Sequence, residues 1–405
     1  MDSHYHPFLV IALIAVLAPL VNELPVRLRI PSVVLEIACG IVVGPQVLGL
    51  VRLDAVVETL SRIGMCFLFL LAGMEIDFSR LRGRPLRLAS CGWLASLTLA
   101  LGAAYLLQAL GLALPPLLVA LALTTTAIGT LLPILRDAGE LSRDFGMLTL
   151  AAGALGEFGP LLLLSMQPVE GHSTVHQAIV MIGFALAAIV TALVVLRVQP
   201  PKFVEMLGRT LYKTSQLPVR LAWLLMAALV VVTMELGLEN LIGAFAAGMI
   251  VGMVTRGEEA EPFRHKLDGL AFGFLIPIFF VVTGVRFDLK ALLGSTTSLL
   301  CVPLFLTLFL LARGLPVLLY RRQLGGRDQL ALAFYSATAL PVVVAITQVG
   351  VSTHQMTPEI AAALVGAGMI SLLVYPQVAT ALRSQSSADT KPLSDSNSTC
   401  QPPDS

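Results

Sequence analysis

Runs of apolar residues long enough to cross about 30 Å of hydrocarbon recur along the whole chain, and nothing constrains its fold more. Thirteen can be marked, at 7–23, 31–50, 57–77, 86–111, 115–135, 142–167, 175–198, 218–236, 239–254, 266–285, 291–320, 327–350 and 357–382. In lipid a helix satisfies every one of its own backbone groups, and an open strand does not. The runs therefore predict an all-α integral membrane protein. Composition agrees, with 57% hydrophobic and 13% charged residues against about 25% charged in ordinary soluble domains. The first run starts at Pro7 behind Asp2 and two histidines. With neither a positive start nor a small-residue cleavage site, it reads as a first span and not as a signal peptide. A net charge of +1 suggests no nucleic-acid partner, and four of the five cysteines (Cys39, Cys66, Cys91, Cys301) fall inside apolar runs without disulfide or metal spacing. Nothing predicts an enzyme or a bound cofactor.

Charge asymmetry orients the spans. With the N-terminus outside, the inner loops and tail hold 21 Lys and Arg, and the outer side holds Arg52, Arg62, Arg286 and Lys290. Arg313 lies within a span. The split follows the positive-inside rule, which places the C-terminus in the cytoplasm; the expected location is a bacterial-type inner (plasma) membrane. Residues 199–217 read as an amphipathic surface connector. Residues 384–405, rich in Ser, Asp and Pro, read as a disordered cytoplasmic tail.

The chain also echoes itself. "ACGIVVG" (38–44) resembles "AAGMIVG" (246–252), "FLFLLAGMEIDFSRL" (67–81) resembles "IFFVVTGVRFDLKAL" (278–292), and "TTTAI" (124–128) resembles "SATAL" (336–340). The offsets, 208, 211 and 212, are nearly constant. They pair spans seven apart, so the two copies face opposite ways across the membrane. Inverted repeats of this kind predict an alternating-access transporter. The predicted transmembrane unit, 1–383, divides into repeat one at about 7–167, a linker helix at about 175–198 and repeat two at about 218–383.

Two spans carry breaks at matching places. The fifth reads "LTTTAIGTLLPIL", with four threonines, Gly129 and Pro133, and the twelfth reads "YSATALPVVVAIT", with Ser336, Thr338 and Pro341. Irregular backbone at membrane depth survives where protein or water satisfies it, and paired interrupted helices point to a midplane ion site. Glu157, in "GALGEFGPLLLL" (153–164), is the one charge between Phe145 and Pro168. It lies roughly 17 Å from each end of that stretch by helical rise. Intramembrane acids are expensive and commonly functional, and a lone carboxylate there can hold a proton or a hard cation in turn. Thr125, Thr126 and Thr338 are candidates to supply oxygens around it. Glu36 and Arg313 lie about 8–10 Å inside the same face by helical rise, and are expected to neutralise each other as an ion pair. Glu75, Asp77, Glu235, Glu239, Asp288 and Glu359 fall at span ends and read as solvated. No metal other than the transported monovalent cation at Glu157 is expected.

These segments, "PSVVLEIACGIVVGP", "FLFLLAGMEID", "TTTAIGTLLPILRDAGELS", "GEFGP", "PIFFVVTGVRFDL" and "ARGLP", in this order over roughly residues 7–383, resemble the monovalent cation:proton antiporter superfamily, with the Kef-type and Na+/H+ exchanger branch the closest likeness. The resemblance implies about 13 helices in two inverted six-helix repeats joined by a linker helix. It also implies crossed, discontinuous helices in a core domain, and a homodimer. It places Glu157 at the second, ion-binding position of the family's usual Asp-Asp, Asn-Asp or Gln-Asp pair on the sixth helix, with Gly156 replacing the first. It matches Arg313 to the Lys or Arg of the eleventh helix and allows Glu36 as its partner. The expected function is secondary-active, electroneutral exchange of Na+ or K+ for protons. A Kef-type gated potassium efflux channel, and an organic-anion symporter on a similar fold, are the alternatives.

Overall fold

The computed structural model describes residues 5–23, 31–75, 83–137, 139–140, 143–166, 176, 179–184, 186–187, 190–191, 210, 213–255 and 261–389. Among these every regular element is helical. In chain order they are α1 (Tyr5–Glu23), α2 (Ser32–Val43), α3 (Ala55–Met74), α4 (Arg84–Ala109), α5 (Pro116–Leu123), α6 (Ile128–Asp137) and α7 (Asp144–Leu164). The second half holds α8 (Leu217–Glu235), α9 (Asn240–Val254), α10 (Glu261–Leu270), α11 (Ile276–Arg286), α12 (Leu289–Leu293), α13 (Thr296–Gly314), α14 (Gly326–Ala337), α15 (Pro341–Ser352) and α16 (Pro358–Asp389). A π turn, Ala271–Leu275, joins α10 to α11, and a 3₁₀ turn, Leu315–Tyr320, extends α13. Among the described residues, eight helical stretches are long and apolar enough to cross a membrane, and four shorter apolar ones accompany them. The expected linker helix at 175–198 lies mostly outside the described residues. The tail differs from expectation: α16 continues to Asp389, because Gln, Ser and Ala after Arg383 carry no helix breaker. Residues 390–405 lie outside the description.

The tightest helix contacts join the two halves of the chain. At the α2–α11 crossing, a Cβ on Gly40 would strike the Val281 carbonyl and lie 3.0 Å from Gly284 Cα. At the α3–α9 crossing, a Cβ on Gly73 would strike the Phe245 carbonyl and lie 3.1 Å from Gly248 Cα. Small residues let helix backbones approach closely in a membrane, where there is no water to squeeze out. The two crossings exchange partners. Gly40 echoes Gly248 and Gly73 echoes Gly284 in sequence, yet Gly40 packs on Gly284 and Gly73 on Gly248. A twofold relation between the repeats produces this swap.

The other half of the molecule is built from α4, α5, α7, α13, α14 and α16, which pack on one another. One corner of it is held by Arg383 of α16. The guanidinium donates to Glu140 Oε2 at 2.7 Å and to Asp328 Oδ1 at 2.8 Å, and lies 4.3 Å from the Phe145 ring centroid.

Candidate functional site

Both expected breaks are present, and of the signals in the first it is the threonines, not Gly129 or Pro133, that mark its place. α5 stops at Leu123 and α6 begins at Ile128, with Gly129 and Pro133 inside α6. The threonine run ends α5 instead. The Thr124 and Thr125 hydroxyls donate to the Leu121 and Ala122 carbonyls, 2.9 and 2.8 Å away, and such local bonds compete with helix propagation. The second break falls at 338–340, between α14 and α15, where Leu340 adopts φ −164° and ψ −59°.

The breaks cross and bond to each other. Ala127 N–H donates to the Thr338 carbonyl at 2.8 Å. The Thr126 hydroxyl donates to the Ser336 carbonyl at 2.5 Å, and Thr126 N–H donates to the Gly156 carbonyl of α7 at 3.0 Å. These bonds satisfy backbone groups that the unwinding would otherwise leave bare in a water-poor interior.

Glu157 meets this crossing from α7. It is 1% exposed, and its Oε2 accepts from Ile128 N–H at 3.1 Å. That donor is the first residue of α6. The first N–H groups of a helix have no partner within it, and the helix dipole places partial positive charge there. The carboxylate thus answers a need of the broken helix. At the second break a neutral group does the holding: Ala339 N–H donates to the Ser371 hydroxyl at 3.1 Å, and that hydroxyl lies 3.0 Å from the Ala339 carbonyl.

Arg313, 4% exposed, sits at the other kind of helix end. Its Nε donates to Thr126 Oγ1 at 3.1 Å and to the Ser336 carbonyl at 3.3 Å, close to where α14 ends. Nη1 donates to Ser96 Oγ at 3.3 Å. Nη2 donates to Thr126 Oγ1 and to the Ala152 carbonyl, both at 2.9 Å. A cation at a helix C-terminus and an anion at a helix N-terminus each oppose the local dipole.

The structure does not bring the expected Glu36–Arg313 pair together. Glu36, 4% exposed, lies on α2, which packs against α1 and α11, while Arg313 spends its donors on the breaks, α4 and α7. Helical rise gave both residues a depth but said nothing of their lateral positions. Of the three threonines, Thr126 reaches the site and bridges Arg313 to Ser336. The hydroxyls of Thr125 and Thr338 donate to their own helices, to the Ala122 and Phe334 carbonyls. Ser96, Ser371 and the Ala152 carbonyl had no signal in the sequence, since a serine in an apolar run and a backbone oxygen look like any other.

A cavity of about 770 Å³ opens on the side of Arg62 and Arg286, the side that charge asymmetry assigns to the exterior. It descends between α3, α9, α11, α15 and α16 to Val344 and Ala345, about one turn beyond Pro341. Glu239 lines it half-buried, not freely solvated as expected, and burial raises its carboxyl above the usual range. Asp288, on the same wall, accepts from Gln46 Nε2 and from Ala291 N–H, each at 2.9 Å.

Comparison with known proteins places this arrangement. The Bacillus subtilis (strain 168) protein YjbQ, whose name provisionally assigns it Na(+)/H(+) antiport, is 29% identical over 383 residues, covering 91% of this chain and 61% of its own length. The Na(+)/H(+) antiporter NhaS5 of Synechocystis sp. is 26% identical over 388 residues, covering 93% of this chain and 53% of its own. The chain therefore spans less than two thirds of either relative. A solved structure of the sodium proton antiporter MjNhaP1 from Methanocaldococcus jannaschii shares the fold, with a TM-score of 0.58, 17% identity, and coverage of 93% of this chain and 98% of that one. The family model described as sodium/hydrogen exchanger, transmembrane, matches residues 11–382. A helical membrane protein with an acid held at crossed helix breaks, matched over residues 11–382 by that model, belongs to the sodium/hydrogen exchanger family.

Proposed function

We propose that the protein is a secondary-active antiporter that exchanges a monovalent cation, Na+ or K+, for protons by alternating access, with Glu157 as the shared site. The observation that carries this reading is a single buried carboxylate at the helix crossing, bonded to the first N–H of α6. Such a group is too costly to leave bare at membrane depth, so it is stable when loaded with a proton or with a cation. The family membership and the names of the relatives point to the same pair of ligands. Exchange follows if only the loaded forms cross between the two sides.

The cycle is electroneutral on this reading. Protonated Glu157 and cation-loaded Glu157 carry the same net charge, Gly156 adds no second acid, and the Arg313 guanidinium keeps its proton throughout. The cavity beside α15 is the route from the exterior, with the N-terminus outside and the C-terminus cytoplasmic. The protein works as a homodimer in a bacterial inner membrane. The test is cation-driven proton flux in proteoliposomes carrying Glu157→Gln, which keeps shape and hydrogen bonding but cannot titrate. Flux is expected to vanish while the purified variant stays folded; retained cation-coupled flux would remove Glu157 from the mechanism.

A further inference from the structure

α7 carries a proline in its interior, Pro160, just past Glu157. A proline has no N–H to give the carbonyl four residues back, and its ring crowds that carbonyl out of the helix ladder. Here that carbonyl belongs to Gly156, and the first break uses it: Thr126 N–H donates to it at 3.0 Å. Gly156, Pro160 and Thr126 are all buried, where an unpaired backbone group would be costly. The bond leads directly to the site. The Thr126 carbonyl accepts from Ile128 N–H at 3.1 Å, and the same N–H donates to Glu157 Oε2 at 3.1 Å. Thr126 is thus pinned to residue 156 by its own N–H, while its carbonyl and the carboxylate of residue 157 share one donor. At the second break a side chain, Ser371, holds the N–H of Ala339 instead.

We propose that Pro160 is a positioning residue for the exchange reaction: by withholding an N–H it frees the Gly156 carbonyl to dock the first break on α7, and the docked break aims Ile128 N–H at the Glu157 carboxylate. This rests on Glu157 being the shared site. The aimed donor favours the cation over the proton. A carboxylate holding a cation is still ionised and keeps a charge-assisted bond to Ile128. Once protonated it accepts as a neutral group, roughly half as strongly. Loosening the break therefore costs the ionised forms and lets protons win the site more easily. Of the elements packed on α7, α5, α9 and α15 contain no ionisable residue. α4 has Arg84, Arg87, Cys91 and Tyr105, α6 has Arg136 and Asp137, and α14 has Arg327, Asp328 and Tyr335. α7 itself has Asp144 beside Glu157 as its other acid, and Arg313 reaches α7 at the Ala152 carbonyl. Replacing Pro160 alters none of these, so the change isolates the backbone bond.

The experiment makes Pro160→Ala in the full chain, which gives residue 160 an N–H to bond the Gly156 carbonyl within the helix. Hydrogen–deuterium exchange read by mass spectrometry reports on the break itself: peptides covering residues 124–128 should exchange severalfold faster than in the parent. Proteoliposome kinetics report the consequence, with Na+ and K+ in turn. The cation KM of Pro160→Ala should match the parent's at alkaline pH and rise severalfold above it towards neutral pH, while kcat stays close to the parent's. Pro303→Ala, at an exposed proline of α13, should change neither readout. The helix bond gained offsets the docking bond lost, so Pro160→Ala should fold with a thermal midpoint near the parent's. Unchanged exchange at 124–128, a cation KM that is unmoved or raised alike at every pH, or failure to fold would each overturn the proposal. The two readings fail differently: retained flux in Glu157→Gln removes the carrier, whereas a dead Glu157→Gln beside a Pro160→Ala with parental proton competition removes only the role of Pro160.

Discussion

Replacing Arg383 tests how the corner of the α4–α7–α13–α16 half that contains Glu140 and Asp328 is held. Its guanidinium bonds two carboxylates at once, Glu140 at 2.7 Å and Asp328 at 2.8 Å, and covers the Phe145 ring. The side chains are 12%, 7% and 20% exposed. Arg383→Met would keep the apolar stem and leave two acids facing each other. Removing one partner of a buried pair costs about 3–5 kcal/mol. Asp328 keeps some access to water, and Glu140 retains a looser contact with the exposed Arg143 at 3.6 Å, so the lower end, about 3 kcal/mol, is expected. For a chain of this length that corresponds to roughly 3–6 °C in thermal midpoint. The assay is intrinsic-fluorescence unfolding of detergent-purified protein. Arg383→Lys should lose most of the same stability, because one ammonium does not reproduce a fork between two carboxylates. Adding Glu140→Gln and Asp328→Asn to Arg383→Met should recover part of it. A midpoint within 1 °C of the parent for Arg383→Met would refute the reasoning.

Three further outcomes are expected. Gly284→Ala drives a methyl into the Ile37 carbonyl, 2.9 Å from Gly40 Cα. Backbone cannot yield there, so a loss of about 1–3 kcal/mol or more is expected in the same unfolding assay, while Gly102→Ala, with nothing within 4 Å, should be neutral. Glu239 has its carboxyl raised by burial; its folded form binds protons more readily, so its contribution to stability is lost as pH rises through the folded value. Glu239→Gln should therefore be more stable than the parent at alkaline pH, with the advantage fading on acidification. Exchange should also ignore membrane voltage, since one net charge per cycle would feel about 2.3 kcal/mol per 100 mV; a sustained current on a solid-supported membrane that reverses with the cation gradient would contradict the one-carboxylate cycle.

The sequence made visible what depends on one helix at a time. Glu157 stood out because charge inside a long apolar run is rare, and the two breaks stood out because Thr and Pro interrupt helices wherever they fall. What depended on lateral placement did not show. Glu36 and Arg313 shared a depth and nothing else, because a helical rise fixes height and leaves azimuth and neighbour open. Gly156 looked like a missing ligand, and only the fold shows its carbonyl holding Thr126. The first break carried three signals, its threonines, Gly129 and Pro133, and only the fold shows that the threonine hydroxyls, bonding back to their own helix, set where α5 ends. Glu239 sits at a helix end, as expected of a solvated acid, but the cavity wall that half-buries it comes from helices distant in sequence.

The swapped glycine crossings bear on how the chain assembles. Gly40 and Gly73 each complete their contacts with residues more than 170 positions downstream. During synthesis the first repeat enters the membrane well before those residues exist, and two notched helix faces wait there with lipid against them. Folding of the first repeat is then provisional until the second has been made, and neither half is a finished unit alone. Positions 199–216 fall between the two glycines of each crossing in sequence, so a cut there removes none of the four. Two fragments divided there and produced together should find each other through the four glycines, whereas the N-terminal fragment made alone should be degraded as an orphan.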